Sequence, residues 1–321
     1  MRTAPLRLSD QIIETNRRLR GAAANGWLKR LPATIERLCR EWDVELEPPF
    51  SFGYGANYVA AGRRGDSTQV VLKATFPNHE FATELASLRL RDGNGAVPVL
   101  AADEDEAVML MRRASPGTML AETLIENGDD EAATAVAAVA MRAFWRPVPA
   151  QHPFPSTEDW GEGFARHRGR YGGHGQIPQR LFERAEELFR ELGRSAAPAV
   201  VLHGDFHHEN ILRDGRDGEG AGEGWTVIDP KGVTGEPAYE LGSFLRNPLS
   251  LWEGGDHVAL LRRRVEIFAE LLALDPQRIA AWAAAQAVLS VIWSAEDGLG
   301  LAADGPWRRC IETSFALHDG G

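Results

Sequence analysis

Apolar positions repeat every three or four residues in two stretches near the start of the chain, at 8–42 and 80–92. Because one helical turn takes about 3.6 residues, this spacing predicts helices with one apolar face. Residues 50–75 and 98–111 instead hold short apolar runs bounded by glycine, proline and acidic turns. Such runs predict β-strands. After the leading helices, the order up to Met111 is therefore strand, strand, helix, strand, strand.

The rest of the chain has mainly helical spacing. The predicted helices are 132–145, 181–192, 258–273 and 277–292. The β-like runs among them are 199–203, 211–213 and 225–229. This order predicts an α+β protein with a small antiparallel sheet and a larger helical part. We place the N-terminal lobe at residues 1–111, a linker at 112–118 and the helical C-terminal lobe at 119–321.

Composition and charge narrow the class of partner. The chain has 321 residues and a net charge of −11, from 35 basic and 46 acidic side chains. That balance argues against nucleic acid and favours a cationic small molecule. No apolar run approaches the roughly 20 residues that cross a bilayer, so we expect no membrane partner. The leading segment lacks the apolar stretch of a signal peptide, and two distant cysteines suit a reducing compartment, so we expect a cytoplasmic protein.

The segment HGDFHHEN, residues 203–210, concentrates the candidate chemistry. One hypothesis is a metal-dependent hydrolase that uses His203, Asp205 and His207 as ligands. Such a site needs further histidine or carboxylate clusters downstream, and the other histidines are scattered. The spacing of Asp205 and Asn210 supports a different hypothesis. In phosphoryl-transferring loops an aspartate accepts the proton of the attacking hydroxyl, and an asparagine five positions later binds Mg²⁺.

That hypothesis requires another aspartate at the end of a following strand. WTVIDPKG supplies Asp229, 24 residues after Asp205. It also requires a strand lysine held by a helical glutamate, and VVLKAT followed by the helix at 80–92 supplies Lys73 and Glu84. We therefore expect Asp205 and Asp229 to meet at one magnesium-triphosphate.

A loop that covers phosphates completes the set. SFGYGANYV at 51–59 offers Gly53 and Gly55, whose lack of a side chain permits close approach of the backbone to an anion. Tyr58 stands where a third glycine would complete the G-x-G-x-x-G pattern.

With these residues assembled, the chain resembles the aminoglycoside phosphotransferase branch of the protein-kinase-like fold. It is most similar there to the streptomycin 6-kinase and hydroxyurea phosphotransferase group. The matching segments are VVLKAT, RRASPGTML, HGDFHHENIL, VIDPKGVTGEPAYELGSFLRNP and WSAEDG, within residues 50–300.

The resemblance implies a bilobal kinase in which Asp205 is the catalytic base and Asn210 and Asp229 bind Mg²⁺. It implies that Lys73 and Glu84 anchor the nucleotide phosphates. Met109, Met111 and Arg113 would meet the adenine through backbone groups of the linker. The arginine at position 112 replaces an acidic residue frequent in the family, which leaves ATP or GTP open as co-substrate.

The acceptor is expected to be a streptomycin-type aminoglycoside, with antibiotic resistance as the biological role. Carboxylates that could bind such a cation are Asp159, Glu236, Glu240, Glu296 and Asp297. Hydroxyurea, a peptide antibiotic or another metabolite remains an alternative acceptor. A non-catalytic nucleotide-binding regulator with the same fold is an alternative of another class. The sequence leaves the oligomeric state open.

Overall fold

The structure, a computed structural model, describes residues 6–50, 55–215, 224–248, 257–299 and 305–320. The chain divides into two compact units. Unit 1 consists of Met1–Gly93 and Val97–Ala114, and unit 2 of Asn94–Ala96 and Ser115–Gly321.

Unit 1 is an antiparallel sheet with helices. Its elements are α1 (Asp10–Arg20), α2 (Ala23–Glu41), β1 (Val44–Pro49), β2 (Tyr58–Arg64), β3 (Gln69–Ala74), α3 (His79–Arg91), β4 (Val99–Asp103) and β5 (Val108–Arg112). The strands lie in the order β1-β2-β3-β5-β4. The helical spacing at 8–42 proves to be two helices, because Gly21 adopts φ +56°, a left-handed conformation that ends α1.

The two faces of the sheet carry side chains of different character. Side chains of successive strand residues point to opposite faces. Val70, Leu72 and Ala74 of β3 therefore share one face, where they belong to the same apolar core as Leu31 and Ile35 of α2. Lys73 of β3 falls on the other face. The period-2 pattern thus leaves a lysine inside an otherwise apolar strand without placing it in the α2 core.

Unit 2 is mainly helical. Its helices are α4 (Leu120–Asn127), α5 (Asp130–Phe144), α6 (Thr157–Tyr171), α7 (Gln179–Arg194), α8 (Pro237–Leu245), α9 (His257–Leu272), α10 (Pro276–Glu296) and α11 (Pro306–Asp319). Its strands are β6 (Pro116–Met119), β7 (Arg146–Pro147), β8 (Val200–Leu202), β9 (Ile211–Asp214), β10 (Trp225–Val227) and β11 (Val233–Gly235).

Helix α10 lies at the centre of unit 2 and packs against α6, α7, α8, α9 and α11. By length and hydropathy it qualifies as a helix that could cross a membrane, contrary to the expectation from the sequence. However, 78% of its apolar window is buried inside the structure. A helix that is apolar on every side is suited to the centre of a helical core.

The short strands form two three-stranded sheets, in the orders β10-β9-β6 and β11-β8-β7. The β-like runs at 199–203 and 211–213 thus belong to different sheets. Part of the predicted linker at 112–118 is also strand, because β6 pairs antiparallel with β9. The segment between β5 and β6 is only residues 113–115.

A buried arginine fixes α9 to its neighbours. The Arg264 side chain is fully buried, and its Nε donates to a carboxylate oxygen of Asp130 at 2.9 Å. Its Nη1 donates to the carbonyl oxygens of Phe244 and Asn247 at 3.2 and 2.8 Å. One side chain thus hydrogen-bonds both the carboxylate of the first residue of α5 and two carbonyl groups at the end of α8.

We expect Arg264→Met to lower the free energy of unfolding by about 3–5 kcal/mol, because it leaves the Asp130 carboxylate and two carbonyl groups without their donor. Arg263→Met is the matched control. Arg263 binds Glu131 at 2.9 Å, but the two side chains are 50% and 60% exposed. The control is expected to lose much less stability, because solvent screens an exposed ion pair. Urea unfolding followed by circular dichroism measures both, and equal losses would contradict the role given to Arg264.

Candidate active site

Lys73 and Glu84 form a buried ion pair within unit 1. The Nζ atom of Lys73 lies 2.7 and 2.8 Å from the two carboxylate oxygens of Glu84. The side chains are only 8% and 6% exposed. Helix α3 begins with the Asn78 side chain accepting a hydrogen bond from the N–H of Phe81, which orients the inner face that carries Glu84. The pair holds an ammonium group in a defined position, while its role towards a nucleotide stays a prediction.

The glycine-containing loop is described only in part. Gly53 lies outside the described residues. Gly55 lies against α1, where an added Cβ would come within 3.0 Å of the Gln11 side chain. Asn16 of α1, fully buried, donates its amide to the carbonyl oxygen of Ala56 at 2.7 Å. The segment just before β2 is therefore tied to α1, a contact that no sequence motif predicted.

The prediction that Met109 and Met111 use backbone groups for adenine is wrong. Both lie inside β5, an interior strand with β3 on one side and β4 on the other. An interior strand uses its N–H and C=O groups in the two ladders, so these are already paired. Arg113 follows the strand; its N–H donates to the carbonyl of Gln69 at 3.0 Å, and its guanidinium lies 3.6 Å from Glu47.

In unit 2, His203 holds the start of the HGDFHHEN loop from inside. It is fully buried, and its Nδ1 accepts the N–H of Asp205 at 3.2 Å while its Nε2 donates to the carbonyl of Ile228 at 2.8 Å. Burial lowers the pKa of His203 to about 3, so the ring is neutral at physiological pH. Because both ring nitrogens are occupied, His203 cannot ligate a metal.

Glu240 anchors the same loop through its backbone. Its carboxylate accepts the N–H groups of His203 and Gly204 at 2.6 and 2.8 Å, and the indole N–H of Trp145 at 3.4 Å. Glu240 is 1% exposed. Its assignment as an acceptor-binding carboxylate is therefore corrected, because a buried carboxylate with three internal donors does not reach a ligand.

Asp205 is the half-buried carboxylate of the loop, with a side chain 33% exposed. Its Oδ1 accepts the hydroxyl of Ser243 at 2.9 Å and lies 3.9 Å from the guanidinium of Arg246. Its Oδ2 lies 3.7 Å from Nε2 of His207. Burial raises the pKa of Asp205, but His207 and the cations of Lys231 and Arg246 lower it by more, so the group is ionised at neutral pH.

The segments of Asp205 and Asp229 lie side by side. The N–H of Ile228 donates to the carbonyl of Asn210 at 3.0 Å, and the N–H of Lys231 donates to the carbonyl of His203 at 2.8 Å. Both carboxylates act on the pKa of the buried His203. Asp229 itself has φ +60°, a left-handed conformation unusual for aspartate. Backbone strain of this kind is concentrated at functional sites.

Asn210 and Asp229 carry oxygen atoms that fit a hard cation. The Asn210 amide nitrogen donates to the carbonyl of Asp205 at 2.9 Å, which leaves the amide oxygen as the atom that could ligate. Lys231 Nζ lies 3.7 Å from the Asp229 carboxylate. Mg²⁺ takes one or two protein oxygens together with phosphate oxygens. The described residues hold no group of three or more histidines, cysteines or acids suited to a metal, so the hydrolase hypothesis is not supported.

Two more of the carboxylates predicted to bind the acceptor are instead bonded to other groups of the protein. Glu236, 2% exposed, binds Arg278 at 2.7 Å, the N–H of Ala197 at 3.2 Å and the indole of Trp282. Its assignment to the acceptor is corrected for the same reason as that of Glu240. Asp159 caps α6, because its Oδ2 accepts from the backbone N–H and the hydroxyl of Ser156 at 2.7 and 2.8 Å.

The other two acidic residues lie at the end of α10. Glu296 forms an ion pair with Arg166 at 3.0 Å. Asp297, the residue that caps the helix, is exposed. Of the five predicted carboxylates, only Asp159 and Asp297 are exposed, and the carboxylate of Asp159 is engaged in the cap of α6.

A pair of tryptophans adjoins the HGDFHHEN loop. Gly204 has φ +85°, and an added Cβ there would lie 2.5 Å from the ring of Trp160. The ring centroid of Trp160 is 5.3 Å from that of Trp293, with the rings near perpendicular. Both tryptophans are half-buried. Their partly open rings form an aromatic surface next to the residue that precedes Asp205.

Sequence reasoning missed Ser243 and Arg246, which contact Asp205. A signal was present, because Glu240 and Ser243 are three positions apart on one face of α8, and Arg246, three positions later, is the residue that caps the end of the helix. All three direct polar atoms to the HGDFHHEN loop. A polar stripe in a helix that is otherwise apolar is the feature that could have found them.

The comparisons with known proteins decide the family. Residues 49–298 match the family model described as aminoglycoside/hydroxyurea antibiotic resistance kinase. The chain belongs to this family. The earlier resemblance is thereby confirmed, and the protein is a phosphotransferase that acts on hydroxyl groups. The hypothesis of a non-catalytic regulator is set aside.

The alignments with two relatives span most of this chain and most of each relative. Streptomycin 6-kinase of Streptomyces griseus is 29% identical over 92% of this chain and 92% of its own. Hydroxyurea phosphotransferase of Kitasatospora aureofaciens is 28% identical over 92% of this chain and 82% of its own. Both relatives act on small molecules, and the family implies ATP as co-substrate.

A solved structure shows the fold. Amicoumacin kinase, in complex with AMP-PNP, Ca²⁺ and Ami, has a TM-score of 0.60 and 14% identity, and the match covers 90% of this chain and 93% of that one. The predicted protein-kinase-like fold class is confirmed.

The neutral state of His203 predicts a loss of stability in acid. The unfolded chain binds a proton at this side chain below about pH 6.5, whereas the folded protein does so only near pH 3. Stability at His203 is therefore present above pH 6.5 and declines as the pH falls towards 3. Buried His208, whose pKa burial also lowers, acts in the same direction.

We expect the urea midpoint of the wild type to fall between pH 7.5 and 5, and to fall less steeply in His203→Gln. His152→Gln, a change at an exposed histidine, serves as control and is expected to follow the wild type. A wild-type midpoint that stays level across this range would refute the neutral buried imidazole.

Proposed function

We propose that this kinase transfers the γ-phosphoryl group of ATP to a hydroxyl of a streptomycin-type aminoglycoside. The observation that carries the proposal is the arrangement of Asp205, Asn210 and Asp229 on two segments joined by backbone hydrogen bonds. A base for the attacking hydroxyl and two oxygen ligands for a cation are the parts that phosphoryl transfer requires of the protein.

Asp205 acts as the base. The acceptor oxygen forms a bond to the γ-phosphorus while the bond from that phosphorus to the β,γ-bridging oxygen breaks. The bridging oxygen keeps the electron pair and leaves as part of ADP, and the hydroxyl proton passes to Asp205. A carboxylate that is ionised at neutral pH is ready to accept this proton.

Asn210 and Asp229 would hold Mg²⁺, and a divalent ion is present in the complex of the amicoumacin kinase. When bound, Mg²⁺ neutralises phosphate charge and orients the triphosphate. Lys73 would contact the α- and β-phosphates, since Glu84 holds its ammonium in place. With Met109 and Met111 enclosed in the sheet, the backbone at Arg113 and Ala114 is the first that could meet the adenine edge.

The acceptor side is supported by charge and by the aromatic surface. Streptomycin carries guanidinium groups, which suit an acidic protein with an exposed carboxylate. Asp297 supplies that carboxylate, and Trp160 and Trp293 supply faces on which a cation or sugar can pack. The name of the 29% identical relative from Streptomyces griseus points to the same acceptor class. Hydroxyurea is the second candidate, because a hydroxyurea phosphotransferase is 28% identical.

Asp205→Asn tests the base. The change keeps the shape of the side chain but removes most of its basicity, so we expect kcat to fall by about 10²- to 10⁴-fold. The KM for ATP is expected to change little, because the ligand pair at Asn210 and Asp229 is intact. Glu209→Gln, at an exposed residue of the same loop, is the control and is expected to keep wild-type kcat. ADP release measured in a coupled assay gives both, and undiminished turnover in Asp205→Asn would exclude this residue as the base.

A product screen tests the acceptor. Streptomycin, a 2-deoxystreptamine aminoglycoside and hydroxyurea are incubated with ATP or GTP, and products are analysed by mass spectrometry. We expect streptomycin with ATP to gain one phosphoryl group. Asp297→Asn is expected to raise the KM for streptomycin several-fold without changing the KM for ATP, whereas Glu270→Gln, an exposed residue of α9, is expected to change neither. If another acceptor is phosphorylated and streptomycin is not, the protein is a kinase but the proposed acceptor is wrong.

A further inference from the structure

Ser243 is a hydroxyl in an almost completely buried helix. It is 1% exposed, and every residue from Ala238 to Leu245 of α8 is buried. A buried hydroxyl is unfavourable unless it is hydrogen-bonded. A helical serine can bond to the carbonyl four residues earlier, here that of Tyr239. That carbonyl accepts the side-chain amide of Gln286, and the Ser243 hydroxyl donates instead to Asp205 at 2.9 Å.

The hydrogen bond distinguishes the two carboxylate oxygens of Asp205. Oδ1 receives the Ser243 hydroxyl and faces Arg246 at 3.9 Å. Oδ2 faces His207 Nε2 at 3.7 Å, beyond the usual length of a hydrogen bond. With Oδ1 held from the interior, rotation of the carboxylate is restricted and Oδ2 is the oxygen left for another partner.

The donor is itself rigidly placed. Helix α8 packs closely on α10, because an added Cβ at Gly242 would lie 2.6 Å from the side chain of Gln286. The carbonyl of Ser243 accepts the side-chain amide of Asn247 at 2.9 Å. Three residues before Ser243, Glu240 binds the backbone N–H groups of His203 and Gly204. The same helix thus holds both the backbone of the loop and the carboxylate that the loop carries.

We propose that Ser243 is a positioning residue, which orients Asp205 so that Oδ2 takes the proton of the acceptor hydroxyl. The proposal rests on the role of Asp205 as the base. Removal of the Ser243 hydroxyl leaves the carboxylate in place but frees it to rotate. The chemical step should therefore suffer while binding of ATP and acceptor does not.

Ser243→Ala is expected to lower kcat about 10- to 100-fold, with the KM for ATP and for the acceptor within about threefold of the wild type. Ser243→Thr, which keeps the hydroxyl, is expected to recover most of the loss. Ser314→Ala is the matched control, because Ser314 is a buried helical serine whose hydroxyl binds its own helix at Cys310. Circular dichroism and thermal unfolding verify that each variant is folded. Should the threonine methyl disturb α8, Ser243→Cys, close to serine in size but a weak donor, is expected to behave like the alanine variant.

A double mutant separates this inference from the proposed function. If Ser243 acts through Asp205, Ser243→Ala lowers kcat no further in the Asp205→Asn background. Losses that multiply, or a Ser243→Ala variant with wild-type kcat, would overturn the positioning role. Full activity in Asp205→Asn would instead remove the base, and the positioning role with it. Equal losses in Ser243→Ala and Ser314→Ala would assign the effect to general stability and also overturn the inference.

Discussion

Two hydrogen bonds from consecutive backbone N–H groups to the Glu240 carboxylate are the constraint on which the HGDFHHEN loop depends. A carboxylate taken out of water needs full compensation, and the N–H groups of His203 and Gly204 together with the Trp145 indole supply it. These bonds in turn fix the N–H groups of His203 and Gly204 towards the protein interior. The loop therefore leaves β8 in one direction, and Asp205 follows at a defined place.

Neutral His203 connects the loop to the segment that contains Asp229. Its ring bonds to the N–H of Asp205 on one side and to the carbonyl of Ile228 on the other, so it spans the gap between the loop and the residue before Asp229. A protonated ring could not accept the first of these bonds. Burial lowers the pKa of His203 and so keeps its ring neutral, and the neutral ring can make both bonds that connect the segments of Asp205 and Asp229.

Several buried charges in the described part of the chain are paired. Lys73 with Glu84, Arg264 with Asp130 and Arg278 with Glu236 are each ion pairs with at least one side chain less than a tenth exposed. Such pairs are costly to break because the remaining charge stays desolvated. Asp205 differs, since its carboxylate is a third exposed and the guanidinium of Arg246 lies 3.9 Å away. It is held firmly on one oxygen yet remains accessible for a reaction.

The sequence by itself determined the family, the order of β2, β3, α3, β4 and β5, and the candidate residues for the chemistry: the spacing of Asp205, Asn210 and Asp229, and the lysine in an apolar strand with a glutamate on the next helix. These features are local, because periodicity and motif spacing are properties of neighbouring residues. Only the tertiary structure decided which carboxylates are buried, so that Glu236 and Glu240 became internal anchors. It also decided that β5 is an interior strand, which removed Met109 and Met111 from adenine recognition, and that the Ser243 hydroxyl meets Asp205. Burial and pairing depend on residues distant in the chain, and no local pattern encodes them.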